Sequence, residues 1–341
     1  MEMFDADEEL VSPTSRLLAA VSSGADSMAL LFWLHSLGRD FVVGHINHNL
    51  HELRPEECAR DEDFVRQKCV QIGAPFRALT IDLPRKNGHV NEVVAREARY
   101  AALIQIARES GCERVATAHT ATDGLESAIL NLMRGGAPGG WLGIAPQRVL
   151  DGDILLVRPF WRLPRKATRQ LLRDANWSWR EDASNRDPLF RRNRVRHEIL
   201  PILGDISGRH SDSISLQHAK NAQIARDENV FLEKLAFETL ETLVLKRESD
   251  LIALDGLKFQ RLEMALQRRV LRLGARQICP ELRDLEWQKI EATRQCVVCN
   301  DKRAVWTWRK ELRVEWTGAG AGNRLRFWRV KMPTEGIIAF K

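Results

Sequence analysis

The fold of this chain is decided by residues 17–31, LLAAVSSGADSMALL. The first apolar residues predict a buried strand, and the return of apolar residues at helical spacing predicts a helix. A turn between the two leaves unpaired backbone N–H groups at the helix start, where the helix dipole also favours an anion. The turn therefore predicts a phosphate-binding loop. A capped strand-to-helix turn without a ligand is the alternative.

The turn is not a Walker A loop, because no Gly-Lys-Ser/Thr follows it, and it is not a GxGxxG loop. Its serine hydroxyls add hydrogen-bond donors, and Gly24 lets an oxyanion approach the backbone. Asp26 is placed either to cap the helix or to hold Mg²⁺ against the phosphates. The candidate phosphate-binding residues are Ser22, Ser23, Gly24, Ala25, Asp26 and Ser27.

Strand and helix patterns alternate along the first half of the chain. Strands are predicted at residues 41–47, 74–83 and 114–118, and helices at residues 27–37, 61–72 and 91–110. This alternation is typical of an α/β fold with a doubly wound, mostly parallel sheet. Ligands of such sheets bind at the carboxyl ends of the strands, where the phosphate loop lies.

The length of 341 residues allows two domains. We predict a first, catalytic domain at residues 1–203, a linker with glycines and serines at residues 204–214, and a second domain at residues 215–341. The second domain is predicted to be smaller and mostly helical. Its long amphipathic helix covers residues 215–246, and a β-rich end covers residues 303–329.

The net charge of +6 is unevenly placed, and residues 258–331 contain 18 Lys or Arg against 8 Asp or Glu. Such a block suits a polyanion such as nucleic acid, although basic faces are often merely solvated. The acidic first fifteen residues do not resemble a secretion signal, and no apolar run approaches the length of a membrane span. We therefore expect a cytoplasmic protein with no membrane partner.

Two carboxylates follow the fourth predicted strand, in residues 118–127, AHTATDGLES. Asp123 and Glu126 are three residues apart, so a helix places them on one face, away from its apolar stripe. At the carboxyl end of a strand they are suited to binding an ammonium group. They also complement the dipole at a helix start, which is the alternative.

Two further segments are rich in arginine. Residues 91–100, NEVVAREARY, place Glu92 and Arg96 one helical turn apart and contain Tyr100, the one tyrosine of the chain. Residues 179–201, WREDASNRDPLFRRNRVRHEILP, combine arginines with amides, and both match phosphates and base edges. For this second segment, RNA contact and an ion-pair network joining two domains are both open.

Taken in order, these motifs resemble the tRNA(Ile)-lysidine synthetases, members of the PP-loop ATP pyrophosphatase group. Residues 22–27 are similar to the Ser-Gly-Gly-x-Asp-Ser loop of the family, and residues 91–100 to its N-x-E-x-x-A-R-x-x-R-Y helix. The remaining matches are His119, Asp123, Glu126, Arg134-Gly135-Gly136, Arg158-Pro159, Trp179, Glu181-Asp182, Ser184-Asn185, Arg192-Asn193 and Arg196. The chain resembles a short form that lacks the last C-terminal domain, and residues 215–341 are expected to be a helical tRNA-binding domain. The resemblance implies an adenine nucleotide alpha hydrolase-like, Rossmann-like fold.

The resemblance also implies a two-step ligation in tRNA modification. ATP activates the C2 oxygen of the wobble cytidine in an isoleucine tRNA with a CAU anticodon, which adenylates the base and releases pyrophosphate. The ε-amine of free L-lysine then displaces AMP, giving lysidine. ATP and Mg²⁺ are the expected substrate and metal, and a homodimer is open.

Residue roles follow from the resemblance position by position. Asp123 or Glu126 is our hypothesis for the base that takes a proton from the lysine ammonium. The implied catalytic residues are Asp26, His119, Asp123 and Glu126; the lysine-binding residues Arg99, Asp123 and Glu126; the tRNA-positioning residues Arg96, Arg134, Arg192, Asn193 and Arg196; and the Mg²⁺ ligand Asp26.

Two departures from the family pattern bear on the loops. Ser23 stands at the first family glycine, so the loop is reshaped if that position requires φ > 0. The His-x-Leu-Arg segment fits partly in two registers, so His48 and Arg54 are weak candidates.

Two other functions remain open. A PP-loop tRNA thiolase needs cysteines or an iron–sulfur cluster near the loop. The one CxxC, Cys296 and Cys299, lies far along the chain, where reduced thiols are favoured over zinc. A non-catalytic RNA-binding protein on the same fold is the other alternative, although such a protein has no need of Asp26, His119, Asp123, Glu126 and Arg134.

Overall fold

A computed structural model describes residues 4–47, 55–83, 85–86, 89–90, 92–134, 139–181, 191–282, 285–318 and 322–330. The chain divides into two compact units, Met1–Gln223 and Ile224–Lys341.

The first unit contains a six-stranded sheet with the order β3-β2-β1-β6-β8-β7. Neighbouring strands are parallel from β3 to β8, and β7 is an antiparallel edge strand. A separate two-stranded ribbon is formed by β4 and β5. The strands are β1 (Leu17–Ala20), β2 (Phe41–Asn47), β3 (Phe76–Thr80), β4 (Arg85–Lys86), β5 (His89–Val90), β6 (Arg114–Ala116), β7 (Gln147–Asp151) and β8 (Ile154–Val157). The predicted α/β class and mostly parallel sheet are confirmed.

Helices connect the parallel strands, as crossover connections require. They are α1 (Ala25–Ser36), α2 (Pro55–Ile72), α3 (Glu92–Glu109), α4 (Ala121–Met133) and α5 (Arg165–Asp174). A short helix α6 (Arg191–Arg194) continues through a π-helical turn, Val195–Ile199, into α7 (Leu200–Ser207), and α8 (Ser211–Leu243) follows. None of the helices in the described part of the chain is long and apolar enough to cross a membrane.

The first strand is buried on both faces. Leu17 and Ala19 belong to one core cluster with α1, whereas Leu18 belongs to another with Leu103 and Ile106 of α3. Alternate residues of a strand point to opposite faces, so a strand covered by helices on both sides must be apolar throughout. This explains why LLAA is an uninterrupted apolar run.

The second unit is built on a five-stranded antiparallel sheet with the order β11-β12-β13-β10-β9. Its core includes the fully buried rings of Trp308, Trp316 and Phe327. The strands are β9 (Val244–Arg247), β10 (Leu251–Asp255), β11 (Ala304–Thr307), β12 (Leu312–Trp316) and β13 (Arg324–Arg329), and the helices are α9 (Gly256–Gln260), α10 (Met264–Ile278) and α11 (Trp287–Val298).

The structure differs from the predicted linker and from the predicted end of the long helix. Much of the predicted linker, residues 204–214, is helical, because α7 ends at Ser207 and α8 begins at Ser211, with Gly208 left-handed between them. The long helix predicted to end at residue 246 ends at Leu243, where the chain turns into β9. The amphipathic pattern could not reveal this end, because β9 obtains its partner, β10, only in the folded unit.

Candidate active site

The loop between β1 and α1 is closed by its own serines. The Ser27 hydroxyl lies 2.6 Å from the Ser22 carbonyl oxygen and 2.9 Å from the Gly24 carbonyl oxygen. It also accepts a bond from the Ser22 backbone N–H at 3.1 Å. Gly24 is the N-cap of α1 with φ −75°, and Ser23 does not have a positive φ. Serine at the first family glycine therefore adds no backbone strain.

The chain beyond α5 braces this loop. The Arg180 backbone N–H donates to the Ser23 carbonyl oxygen at 2.9 Å, and its side chain pairs with Asp61 at 2.5 Å. Behind the loop, Nδ1 of the buried His45 lies 2.9 Å from the Val21 carbonyl oxygen. Burial lowers the pKa of His45, so its ring is neutral at physiological pH. These contacts hold the loop backbone in one conformation.

Asp26 faces the first turn of α5. The Thr168 hydroxyl donates to one carboxylate oxygen of Asp26 at 2.6 Å, and Nε of Arg165 lies 3.1 Å from the other. Burial raises the pKa of Asp26, partly against the attraction of Arg165, and the negative charge of Asp123 raises it further. The loop follows β1 and α4 follows the neighbouring parallel strand β6, so the loop and the start of α4 lie at one edge of the sheet.

Sequence reasoning missed Arg165 and Thr168. The signal available in the sequence was their place at the start of a helix that follows β8, since helix starts after parallel strands point at the ligand edge. Arg165 acts electrostatically on both Asp26 and Asp123, and its backbone N–H donates to the Thr122 hydroxyl at 3.3 Å. It therefore links the loop to α4.

Asp123 has two roles, because it caps α4 and also faces the cations of the candidate site. One of its carboxylate oxygens accepts bonds from the backbone N–H and the hydroxyl of Thr120, both at 2.8 Å, in a capping box. The other oxygen faces Arg192 at 3.0 Å and Arg196 at 3.4 Å. Both interpretations of Asp123 therefore apply, because one carboxylate oxygen caps the helix start and the other faces two cations.

Glu126 is completely buried and is held by the same two arginines. Nε of Arg192 donates to one carboxylate oxygen at 2.7 Å. Arg196 donates to both, from Nε at 2.6 Å and from Nη2 at 2.9 Å. Because Arg192 lies in α6 and Arg196 in the π-helical turn, this chain segment places two cations opposite two carboxylates. We call these four residues the arginine clamp.

The electrostatics of Asp123 bear on its proposed chemistry. Burial acts to raise its pKa, but Arg192, His119 and Arg165 outweigh burial, and the pKa lies below its usual range. A carboxylate with a low pKa is a weak proton acceptor and a good cation ligand. The environment of Asp123 thus favours holding an ammonium over deprotonating it.

His119 is half-buried beside this cluster, and its Nδ1 lies 2.9 Å from the Thr117 hydroxyl. Burial, with the positive charges of Arg158, Arg192 and Arg99, lowers the pKa of His119 to about 3, although Asp123 opposes this. The imidazole is therefore neutral at physiological pH. It can form hydrogen bonds to a substrate without carrying a charge.

The other predicted residues lie outside the arginine clamp. The guanidinium groups of Arg96 and Arg99 lie over the ring of Tyr100. Arg134 is the exposed C-cap residue of α4, and Asn193 is buried in α6. Candidates outside the described residues are His48, Arg54, Asn91, Gly135, Gly136, Asp182, Ser184 and Asn185.

Asp26 is the loop carboxylate that is placed to bind a magnesium ion, in exchange for its contacts with Thr168 and Arg165. Mg²⁺ prefers oxygen ligands and usually binds one or two carboxylates together with substrate phosphates. Asp26 supplies a carboxylate that repels its neighbour Asp123, so a cation there relieves an unfavourable contact. The residues present therefore fit the ion.

Gly24 offers a test of the loop as a phosphate cradle. A Cβ added there would meet the Ser22 hydroxyl at an ordinary 3.6 Å. Gly24→Ala is therefore expected to fold, with a loss of about 1 kcal/mol or less from the weaker N-cap. With ATP as the substrate that the resemblance implies, the KM for ATP should rise about tenfold, because the methyl group covers the backbone that a phosphate approaches. An unchanged KM for ATP would contradict a phosphate position at Gly24.

Comparisons with known proteins agree with this geometry. Residues 3–203 match the PP-loop domain family. The chain is similar to a tRNA(Ile)-lysidine synthase of Dehalococcoides mccartyi, with 32% identity over 293 residues that cover 83% of this chain and 60% of the relative. It is also similar to one of Thermus thermophilus, with 38% identity over 196 residues that cover 57% of this chain and 36% of the relative. The chain thus spans about three fifths or less of these relatives.

Among solved structures, the chain resembles a U34-tRNA thiolase of Methanococcus maripaludis, solved with its 4Fe-4S cluster. The TM-score is 0.52 at 12% identity, covering 65% of this chain and 75% of that one. At this identity the likeness shows the fold alone.

Proposed function

Since the chain belongs to the PP-loop domain family, we propose that it ligates free lysine to C2 of the wobble cytidine in an isoleucine tRNA with a CAU anticodon, with ATP converted to AMP and pyrophosphate. One observation carries the proposal. Asp26 follows β1 and Asp123 follows β6, the neighbouring parallel strand, and Arg165, 3.1 Å from Asp26, acts electrostatically on both carboxylates. The candidate phosphate-binding loop and the candidate amine-binding carboxylates therefore lie at one edge of the sheet, which supports the proposal. The names of the curated relatives support the same reaction.

In the first step, the cytidine O2 attacks the α-phosphorus of ATP and pyrophosphate leaves. Backbone N–H groups and serine hydroxyls of residues 22–27 hold the phosphates. Asp26, positioned by Thr168 and Arg165, would hold Mg²⁺, which offsets the charge that develops on the leaving pyrophosphate. His119, neutral and fixed by Thr117, is placed to hydrogen-bond the base or the phosphate.

In the second step, the ε-amine of lysine attacks C2 and AMP leaves. The ammonium form binds best where carboxylates are ionised, and the low pKa keeps Asp123 ionised. In this structure Arg192 and Arg196 occupy those carboxylates. A bound lysine therefore has to displace a guanidinium from the clamp or share a carboxylate with it. The base hypothesis for Glu126 and Asp123 stays a prediction.

The direct test incubates the protein with ATP, radiolabelled lysine and a transcript of the isoleucine tRNA with the CAU anticodon. Label should enter the RNA and survive mild alkali, because a modified base resists the treatment that cleaves an aminoacyl ester. A transcript with U34 in place of C34 is the matched control and should stay unlabelled. If the C34 transcript stays unlabelled although ATP and active tRNA are present, the proposal is overturned.

Sulfur transfer gains no support from the described residues of the first unit. Burial raises the pKa of Cys69 to about 12, and within the described chain no group of three ligand-bearing side chains includes Cys58, Cys69 or Cys112. Iron and acid-labile sulfide in anaerobically purified protein would favour a thiolase instead. A homodimer and a cytoplasmic location stay predictions.

A further inference from the structure

Arg165 lies at the edge of the sheet where three neighbouring strands end. The parallel strands β1, β6 and β8 are adjacent, and their carboxyl ends lead to Asp26, Asp123 and Arg165 respectively. The backbone N–H of Arg165 donates to the Thr122 hydroxyl at the start of α4, and its Nε lies 3.1 Å from Asp26. Arg165 therefore contacts both the start of α4 and the loop after β1.

The backbone that carries Arg165 is fixed on both sides. Before it, the Ala121 backbone N–H donates to the Leu163 carbonyl oxygen at 2.8 Å, which holds the approach to α5 against the start of α4. After it, the Thr168 hydroxyl lies 2.7 Å from the Arg165 carbonyl oxygen and 2.6 Å from Asp26. A cation that is held in place before reaction needs little reorganisation when negative charge develops beside it.

The outer end of the Arg165 guanidinium is available to a ligand. Nε is the buried nitrogen, and it faces Asp26 as an ion pair without hydrogen-bond geometry. The terminal nitrogens, Nη1 and Nη2, form no hydrogen bond to a protein group within the described chain and are not buried, and 20% of the side chain is exposed. Arg192 and Arg196 differ, because their terminal nitrogens donate to carboxylates of the arginine clamp.

Asp26 is the anion that faces Arg165 in this structure, and it is also the candidate Mg²⁺ ligand. Metal binding at Asp26 exchanges the contact with Arg165 for a metal bond, so the guanidinium loses its carboxylate partner. A cation at a partly buried position needs an anion, because attraction between opposite charges is stronger there than in bulk water. A phosphate of the bound nucleotide is the anion that the proposed function supplies.

The position of Arg165 selects one phosphate of that nucleotide. In the proposed first step, the leaving pyrophosphate is held by the loop at residues 22–27, and the attacking base lies on the side of Asp123 and His119. The α-phosphorus lies between the attacking and the leaving oxygen. Arg165 contacts Asp26 on one side and acts electrostatically on Asp123 on the other, so it lies in the same interval. Guanidinium groups bind phosphate oxygens through paired hydrogen bonds.

We propose that Arg165 is a catalytic residue that binds the α-phosphate of the nucleotide through its terminal guanidinium nitrogens in both steps of the reaction. The inference rests on the proposed function. In the first step, the cytidine O2 forms a bond to the α-phosphorus, and pyrophosphate leaves with the electron pair of the broken P–O bond. In the second step, the lysine amine forms a bond to C2, and AMP leaves with the electron pair of the C2–O bond. Arg165 offsets the negative charge of the α-phosphate oxygens in each step.

Binding of AMP without magnesium isolates the α-phosphate, because AMP carries no other phosphate and adenosine carries none. Calorimetry gives the Kd of AMP and of adenosine for the wild type, Arg165→Gln, Asp26→Asn and the double variant. Arg165→Gln is expected to raise the Kd of AMP about tenfold or more and to leave the Kd of adenosine unchanged. A factor at least as large is expected when Arg165→Gln is added to Asp26→Asn, because a direct contact does not act through Asp26.

Arg169→Gln is the matched control. Arg169 lies one helical turn after Arg165 on α5, acts on Asp26 more weakly, and pairs with Glu181 at 3.8 Å. The variant removes the same charge from the same helix, so its Kd for AMP should stay within about twofold of the wild-type value. With Mg²⁺ and tRNA at saturation, Arg165→Gln should also lower kcat for pyrophosphate release about 10²-fold.

Three results would overturn the inference. The first is an unchanged Kd for AMP in Arg165→Gln, or a wild type that binds AMP no more tightly than adenosine. The second is an effect of Arg165→Gln that disappears in the Asp26→Asn background, which would make Arg165 a positioning residue of Asp26. The third is an equal loss in Arg169→Gln, which would show a general effect of charge.

The double variant keeps the comparison available if Arg165→Gln alone does not fold, because it contains neither charge of the ion pair. The nucleotide measurements need neither lysine nor RNA. If they give the expected pattern and the protein forms no lysidine, the proposed function alone is refuted.

Discussion

Asp26→Asn is expected to lower kcat/KM for ATP by about 10³-fold, in the range that loss of a preorganised electrostatic group produces. The amide keeps the shape of the side chain and can still accept the Thr168 hydrogen bond. It removes the negative charge that would hold Mg²⁺ against the leaving pyrophosphate. Pyrophosphate release at saturating tRNA measures the effect, and a loss of less than about tenfold would remove Asp26 from the reaction.

The same variant should not lose stability. The folded-state pKa of Asp26 is raised by burial and by Asp123, so ionisation of this group opposes folding. Its favourable contribution is present below the unfolded-state pKa and is lost as the pH rises through the folded-state value. At neutral pH the asparagine variant is therefore expected to have a Tm equal to or above that of the wild type. A clear fall in Tm would mean that Arg165 and Thr168 stabilise the ionised form more than burial penalises it.

Glu126→Gln is expected to lower both stability and lysine use. Glu126 is fully buried with three hydrogen bonds from Arg192 and Arg196, so its neutralisation leaves two guanidinium groups facing one carboxylate, Asp123. Loss of one partner of a buried ion pair costs about 3 kcal/mol or more. For a unit of this size that corresponds to a fall in Tm of about 6 to 12 °C. The Tm in the absence of ligands measures this effect.

A control and a partner variant sharpen this prediction. Glu198 forms an exposed pair with Arg194 on the same chain segment, and Glu198→Gln should leave the Tm unchanged. The double variant Glu126→Gln/Arg196→Gln should lose less stability than the two single variants lose when added together. The reason is that Arg196→Gln removes a cation that Glu126→Gln leaves unpaired. Additive losses would contradict the arginine clamp.

Lysine kinetics separate binding from proton transfer at Glu126. A raised KM for lysine with an unchanged kcat in Glu126→Gln would assign the residue to binding and remove it as the base. A fall in kcat at saturating lysine would support the base hypothesis.

Much of the site could be predicted because its signals are local. The turn after β1, the capping position of Asp123 and the pairing of Asp123 with Glu126 on one face depend on residues within a few positions of one another. Helical and strand periods govern such spacing, so residues 22–27 and 119–126 were recognisable without a structure. The segment around Arg192 was recognisable as arginine-rich, but RNA contact and ion pairing could not be distinguished.

By itself, the sequence determined the doubly wound sheet, the loop at its edge and the acidic start of α4, since alternation and capping are properties of short stretches. Only the tertiary structure decided which charges meet. Arg192 and Arg196 reach Glu126 across 66 and 70 residues, and Thr168 reaches Asp26 across 142. Such pairings depend on the packing of whole elements, which no local pattern encodes.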